Sequence, residues 1–202
     1  MEVNDIIKRL GEDLPGINLS INIDKEYPIL NESKMGAETK ESIQMGRKLY
    51  NQQKYEEAIK ILKGIPQASD YAEVNLLLGC CNYSLEEKKE LNKTNEIEPL
   101  ESVLYFMKAA EQGNEDAIVN LRILATRIHK ESTICLNCIF QLASNNNPHA
   151  LRELGIYNYF LYLLDPENFK GFYDYSYQYW EKAANNGDKF SSRRLKEREK
   201  CI

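Results

Sequence analysis

The sequence predicts an all-α protein built from stacked helical hairpins, and three observations predict it. Apolar residues recur at spacings of three and four along most of the chain. A Leu-Gly or Met-Gly pair returns at Met45-Gly46, Leu78-Gly79 and Leu154-Gly155. With Leu121-Arg122 counted in the same register, the intervals are roughly 33 to 43 residues, the length of one helical hairpin. Runs of small residues that end in Gly or Asn also recur between the predicted helices.

Composition fits a folded protein with a sizeable core. The 202 residues are 43% hydrophobic and 28% charged, which is ordinary for a globular chain. The formal net charge of −5 argues against general nucleic-acid binding. The segment Lys189–Ile202 is the exception, with six basic and two acidic residues. We interpret it as a solvated, charge-patterned last helix, with contact to an acidic partner as the alternative.

The cellular location of the protein is predicted from its apolar runs and its cysteines. Residues 1–15 lack the continuous apolar core of a secretory leader, and no run of 18 apolar residues exists. The five cysteines are odd in number and unevenly spaced, which suits a reducing compartment better than a disulfide framework. We therefore expect a cytoplasmic protein without membrane insertion.

The N-terminal region differs from the rest of the chain. Apolar residues between Val3 and Leu10 predict one short amphipathic helix that ends near Gly11. Alternating apolar residues over 17–23 indicate an extended segment. We expect residues 1–37 to form a cap against the first hairpin, or a partly ordered arm, and residues 38–202 to form the repeat domain.

The first hairpin is predicted over residues 43–65. Its first helix carries Gly46 and Tyr50, and the polar stretch 51–54 forms the turn. Its second helix carries an apolar stripe that includes Ala58 and Leu62. Because one hairpin cannot bury its own stripe, it needs neighbours of the same kind.

The ends of three later helices carry a common signal. Lys-Ala-Ala-Glu-Gln-Gly at 108–113 returns in altered form at 141–146 and 182–187. The last residue of each should take a positive φ and stop the helix, because Gly and then Asn adopt that conformation most easily. These residues are Gly113, Asn146 and Gly187. The residues expected to begin the following helices are Asp116, Pro148-His149 and Asp188.

Together these signals predict nine helices after the N-terminal region. Their ranges are about 38–52, 55–64, 70–84, 99–112, 115–129, 132–145, 148–164, 172–186 and 188–200. The strongly charged segment Leu85–Pro99 is predicted to be a solvent-exposed excursion within the second hairpin. Asp165–Gly171 is predicted to play the same role in the fourth.

These residues resemble a known repeat superfamily. IQMGRKLYNQQKYEEAIKIL at 43–62 is similar to a tetratricopeptide repeat (TPR), with Gly46, Tyr55 and Ala58 at its small and large positions. Residues 102–124 and 177–195 resemble the longer Sel1-like repeats. The resemblance runs from about residue 38 to the end. It implies a right-handed α-solenoid whose first helices line an inner groove that binds segments of other proteins.

The chain departs from one specialised form of this family. Some tetratricopeptide proteins hold the C-terminal carboxylates of chaperones with a clamp of Lys, Asn and Arg. The matching positions here are Ile43, Arg47, Leu77, Asp116 and Asn120. Only Arg47 and Asn120 suit the clamp, and Asp116 would repel an acidic tail, so chaperone-tail docking is not expected. Arg122 in place of glycine also weakens the expectation of close packing in the third hairpin.

The resemblance places a set of polar and aromatic residues on the inner faces of the first helices. Tyr and Arg are good contact residues because they bury area and fix hydrogen bonds. The alternative is that the tyrosines simply pack between repeats. The groove candidates are Lys40, Arg47, Tyr50, Asn51, Glu73, Tyr83, Asp116, Asn120, Arg127, Arg152 and Tyr159.

Catalytic and metal sites are not expected. Cys135 and Cys138 form a CxxC that shares one helix face, and Cys80-Cys81 with His129 or His149 could complete a zinc site. We favour the alternative that these cysteines are small apolar residues at helix contacts. Neither histidine belongs to a nucleophile motif, and no glycine-rich phosphate loop is present. We therefore predict no enzyme activity, no cofactor and no small-molecule substrate.

The sequence thus predicts a protein–protein interaction adaptor that binds a peptide or helix of a partner in the concave groove of a TPR/Sel1-like solenoid. Two alternatives stay open. In the first, the chain is a structural subunit that docks through a Tyr-rich face or its basic last helix. In the second, it is a metal- or redox-regulated protein that uses Cys135 and Cys138.

Overall fold

The computed structural model describes residues 3–15, 35–90, 101–127 and 132–199. Within these ranges the regular elements are all helical and no strand occurs, which confirms the all-α prediction. A short 3₁₀ helix occupies Ala68–Asp70. The α-helices are α1 (Val3–Asp13), α2 (Ala37–Asn51), α3 (Tyr55–Lys63), α4 (Ala72–Glu90), α5 (Glu101–Glu111), α6 (Glu115–Thr126), α7 (Ser132–Ser144), α8 (Pro148–Leu164), α9 (Lys170–Asn185) and α10 (Lys189–Glu199).

The helices belong to two compact units. One unit spans Ile21–Ala117 and contains α2 to α5 with the start of α6. In it α2 packs on α3, α3 on α4, and α4 on α5. The other unit combines Met1–Ser20 with Ile118–Ile202. Within this unit α8 packs against α1, α7 and α9, and α10 packs on α9.

The recurring glycines Gly46, Gly79 and Gly155 occupy equivalent places in three hairpins. Each lies on the first helix and faces a large side chain of the second. A Cβ at Gly46 would lie 2.7 Å from Leu62 Cδ2, and one at Gly79 would lie 2.6 Å from Phe106 Cδ1. A Cβ at Gly155 would overlap the indole of Trp180. A glycine costs about 1 kcal/mol in a helix relative to alanine, so the close approach of the two helices explains its use here.

Four helix ends share one backbone motif. Gly113 and Gly187 have φ values of +90° and +93°, and Asn146 has +59°, which confirms the predicted helix stops. Gln53 has φ of 60° at the matching place after α2. The next residue in each turn donates its N–H to the carbonyl five residues back, as in a Schellman motif. These bonds are Lys54 to Leu49 (2.9 Å), Asn114 to Ala109 (3.0 Å), Asn147 to Leu142 (3.3 Å) and Asp188 to Ala183 (3.0 Å).

The residue after the positive-φ position also begins the next helix in three of these turns. The Oδ1 of Asn114 accepts the N–H of Ala117 at 3.0 Å. Asn147 caps α8 by accepting the N–H groups of His149 and Ala150, and Asp188 accepts that of Ser191 at 2.7 Å. One short segment therefore ends one helix and caps the following one. As predicted, α8 begins at Pro148 and Asp188 lies at the start of α10, while Asp116 lies in the first turn of α6.

Replacing Gln53 with glycine is expected to stabilise the protein by about 0.5–1 kcal/mol, because Gln53 holds a left-handed conformation that disfavours a β-carbon. Thermal unfolding of Gln53→Gly measures this. The neighbouring Gln52 has φ of −84°, so Gln52→Gly is the matched control and should lower stability. Equal effects of the two substitutions would contradict the turn geometry.

Two predicted excursions are shorter than expected. α4 continues to Glu90 because Leu85–Glu90 consists of good helix formers. The Glu86 carboxylate on this extension accepts hydrogen bonds from the Ser102 backbone N–H, at 3.2 Å, and from the Ser102 hydroxyl. The extension therefore fixes the start of α5. α9 begins at Lys170, inside the second predicted excursion. The preceding turn is closed by the Asn168 amide, which donates to Asp165 Oδ2 at 2.7 Å.

The N-terminal helix packs at a place the sequence did not predict. Ile6, Leu10 and Leu14 of this region are buried with Ile156 and Phe160 of α8 in the core of their unit. The predicted neighbour was the first hairpin. The extended segment predicted over 17–23 lies outside the described residues, as do 91–100, 128–131 and the last three residues.

Candidate partner-binding surface

In the unit Ile21–Ala117, Arg47 and Glu73 form a largely buried ion pair between α2 and α4. Arg47 Nη2 donates to Glu73 Oε1, and the Glu73 side chain is 2% exposed. Burial raises the pKa of Glu73, the Arg47 charge opposes that shift, and Asp116 adds to it. Both residues were groove candidates. The structure brings them together as partners of each other, with Asp116 close enough to act on the carboxylate.

The three candidate tyrosines pack inside their units, each four residues after a recurring glycine. Tyr50 contacts the buried cluster of Leu49, Ala58 and Cys81. The hydroxyl of Tyr83 donates to Glu87, and that of Tyr159 donates to Asp13 at 3.3 Å. Burial raises the pKa of Tyr50 and Tyr159 above the ordinary value. These contacts correspond to the packing alternative that the sequence analysis kept open.

A buried charge network lies within the unit that contains α7 to α10. Arg122 occupies the glycine position of α6 and is 1% exposed. Its Nε donates to Glu153 Oε2 of α8 at 3.0 Å. Arg152 donates to the other Glu153 oxygen at 2.8 Å and to Asp188 at 3.2 Å. Burial would raise the pKa of Glu153, but Arg122 and Arg152 outweigh burial and hold it below the usual value. The network joins α6, α8 and the cap of α10.

The remaining groove candidates differ in how far they are buried. Asn120 is buried within α6. Lys40, Asp116 and Arg127 are half-buried, and only Asn51 is exposed among all the candidates, every one of which the structure describes.

The cysteine pair is enclosed. Cys135 and Cys138 are both buried in α7, and burial raises the pKa of the Cys135 thiol to about 12. A thiol with a raised pKa is a poor nucleophile at neutral pH because the thiolate is the reactive form. In the described ranges, no three His, Cys, Asp or Glu side chains cluster as metal ligands, and His129 lies outside these ranges.

Among the described helices, α7 alone carries no charged residue, and it exposes large apolar side chains. This helix, Ser132–Ser144, contains no charged residue, and it exposes Ile134 (37%) and Phe140 (44%) to solvent. A solvent-facing helix normally carries charged residues on that side. The exposed side of α7 is thus uncharged, as the centres of protein interfaces often are, and Ile134 and Phe140 are exposed at two places on it.

A row of aromatic side chains lies along α9 in the same unit. Phe172, Tyr175 and Tyr179 are spaced by three and four residues and so share one helix face. Phe169, just before the helix, contacts Phe172 with ring centroids 5.5 Å apart, and Phe172 contacts Tyr175 at 6.2 Å. Tyr175 is more than half exposed. We call this row, together with Ile134 and Phe140, the α7–α9 surface.

A pocket of about 460 Å³ opens between α7 and α9, with α8 as its floor. Apolar lining comes from Phe140 and Ala143 of α7 and from Leu151 and Leu154 of α8. Tyr179 and Lys182 line the α9 side, and the Lys182 ammonium lies 5.9 Å from the centre of the Tyr179 ring. Burial raises the pKa of Tyr179. Among the described side chains that line the pocket, Lys182 alone is charged.

The basic last helix directs two arginines toward its own unit. The guanidinium of Arg198 lies 4.2 Å from the centre of the Tyr177 ring, and Arg194 lies 5.5 Å from that of Trp180. Arg198 also pairs with Asp174 at 3.7 Å. These cation–π contacts stabilise the packing of α10 on α9.

Sequence reasoning did not select the α7–α9 surface, although two signals mark it. Residues 132–145 form the only predicted helix without a charged side chain. The aromatic residues at 169, 172, 175 and 179 follow helical spacing. Comparison of the chain with models of known protein families, with curated proteins and with solved structures finds no match. None of the described helices combines the length and apolar character needed to cross a membrane.

Proposed function

We propose that the chain is a helical-repeat interaction protein of the TPR/Sel1-like kind, arranged as an α-solenoid, which binds another protein and catalyses no reaction. The three equivalent glycine contacts at Gly46, Gly79 and Gly155 support the repeat assignment. The four matching turns support it independently, because each joins consecutive helices with the same bond pattern.

The observation that carries the binding proposal is the α7–α9 surface. Leaving large apolar side chains in water is unfavourable, at roughly 25 cal/mol for each Å² of apolar area. A partner that covers Phe140, Ile134 and the α9 aromatics would recover that free energy. Tyrosine and phenylalanine are also the residues that most often anchor interfaces.

This proposal moves the binding surface away from the first-helix groove. Arg47, Glu73, Arg152 and Tyr159 contribute their polar groups to internal contacts. A partner that recruited those groups would have to break these contacts first, and the cost would weaken its binding.

A stable subunit of a larger complex is the second candidate, and the charge-free face of α7 favours it. Permanent interfaces are more apolar than transient ones and are depleted of charge at their centres. The two candidates differ in stoichiometry. A subunit copurifies with one partner at a fixed ratio, whereas an adaptor binds several partners at micromolar affinity.

Replacing Phe140 with aspartate is expected to reduce recovery of partner proteins at least tenfold in proximity labelling within the native cell, since a charge at the centre of an apolar interface must be desolvated. The matched control is Leu104→Asp, because Leu104 is also exposed, at 51%, but lies on α5. It should leave recovery unchanged. Circular dichroism checks that both variants are folded. Equal recovery with wild type and folded Phe140→Asp would contradict the proposal.

A further inference from the structure

We infer that the partner of the α7–α9 surface is an acidic amphipathic helix, which inserts a bulky apolar side chain into the pocket and pairs a carboxylate with Lys182. The inference rests on the proposed function and adds the chemistry of the partner to it.

The shape of the surface favours a helix. Phe172, Tyr175 and Tyr179 extend along two turns of α9, roughly 10 Å at 1.5 Å per residue. Phe140 of α7 lines the opposite side of the pocket. A helix that lies in a groove between two helices presents side chains at matching intervals of three, four and seven residues.

The pocket accepts one large apolar side chain. The buried Leu151, Leu154 and Ala143 supply its apolar inner lining, and the more exposed Phe140 also lines it. The other lining residues include Ser144, Asn146, Asn185 and Asn186, which are polar and exposed. An apolar inner lining with exposed polar residues is the arrangement in which one buried anchor supplies most of the binding free energy.

The charge that lines the pocket indicates which charge the partner should carry. Lys182 supplies the one charge on the described lining of the pocket, and α7 supplies none. The carboxylate of Asp174 is directed toward α10, where it pairs with Arg198, and Glu181 lies seven residues further along that side of α9. A basic helix would therefore meet Lys182 without a compensating acid, whereas an acidic helix would pair with it.

Two synthetic helical peptides of about 16 residues test the inference. Both carry the same stripe of leucine and phenylalanine, and their flanking positions hold glutamate in one and lysine in the other. Fluorescence anisotropy at about 0.15 M salt, where the Debye length is about 8 Å, measures the affinity of each. We expect the acidic peptide to bind at least tenfold more tightly. Lys182→Glu should abolish or reverse that preference, and Phe140→Asp should abolish binding of the acidic peptide.

Lys196→Glu is the matched control, because Lys196 is an exposed lysine on α10, and it should leave the preference intact. Equal binding of the two peptides, or tighter binding of the basic one, would overturn the inference that the partner is acidic. If Phe140→Asp still abolished peptide binding in that case, the proposed binding surface would stand. Binding of neither peptide would overturn the helical assignment. Self-association of the chain that Phe140→Asp abolishes would show a second copy as the occupant and would also overturn it.

Discussion

Replacing Glu153 with leucine is expected to lower the free energy of unfolding by about 3–5 kcal/mol, because Arg122 would stay buried without its carboxylate. Arg122 is almost wholly enclosed, so water cannot replace the lost partner. Denaturant unfolding followed by circular dichroism measures the change. The double variant Arg122→Met/Glu153→Leu should recover most of the lost stability, because replacing both members of a buried ion pair removes the buried charge together with its carboxylate.

An exposed pair of the same length provides the control. Lys63 and Glu101 are also 3.0 Å apart, but both side chains are about half exposed. Glu101→Leu should therefore cost less than about 1 kcal/mol. If Glu153→Leu destabilised the protein no more than Glu101→Leu, the buried position of the α6–α8 pair would be contradicted.

The same pair predicts how stability depends on acidity. The pKa of Glu153 is lowered in the folded state by Arg122 and Arg152. A carboxyl of this kind contributes stability above its unfolded pKa of about 4.3 and loses it as the pH falls through the lower folded value. Wild type should therefore lose stability below about pH 4, and Arg122→Met/Glu153→Leu should show a weaker dependence over that range.

Replacing Gly155 with alanine is expected to destabilise the protein by about 1–3 kcal/mol, even though alanine favours helix. The added methyl would overlap the indole of Trp180, which is fully buried. The helices α8 and α9 would have to separate. Thermal unfolding with near-ultraviolet circular dichroism follows both the stability and the Trp180 environment.

Gly171 on α9 provides the control for the Gly155→Ala substitution. It has open space around its Cα, with no atom near the place of a Cβ. Gly171→Ala should therefore stabilise the protein by about 0.5–1 kcal/mol. Opposite signs for the two Gly-to-Ala substitutions would support the close α8–α9 contact, and a gain in stability at both would refute it.

Local signals predicted much of the helical layout. The range 148–164 matches α8, because Asn147 caps it and Pro148 suits its first turn. Positive φ at Gly113, Asn146 and Gly187 follows from the backbone preferences of Gly and Asn. Helix stops depend on a few adjacent residues, so one sequence is enough to place them.

Tertiary partners were harder to predict. Arg122 broke the glycine pattern, and sequence reasoning gave it no partner, because Glu153 lies 31 positions away. Two signals were available in the sequence. Arg122 is charged at a position where the other hairpins have glycine, and Glu153 is an acid within the apolar run of α8. Likewise, a helix pattern shows that α1 has an apolar face, but not that α8 covers it.

The groove candidates show most clearly what helical register alone does not predict. Helical register assigns a residue to a face, and Tyr50, Tyr83 and Tyr159 each follow a recurring glycine by four residues. It does not distinguish an inward face that stays open from one that neighbouring helices cover. The burial of Tyr83 and Tyr159, against the exposure of Phe140, is therefore information that only the packed structure holds.

Hydrogen exchange of the chain with and without its recovered partner tests the central claim most directly. Binding at the α7–α9 surface predicts that slowed exchange is concentrated in Ser132–Ser144 and Lys170–Asn185, and that Phe140→Asp abolishes it while Leu104→Asp does not. Protection concentrated in α2 and α4, with α7 and α9 unchanged, would contradict the claim and would favour a groove on the first helices.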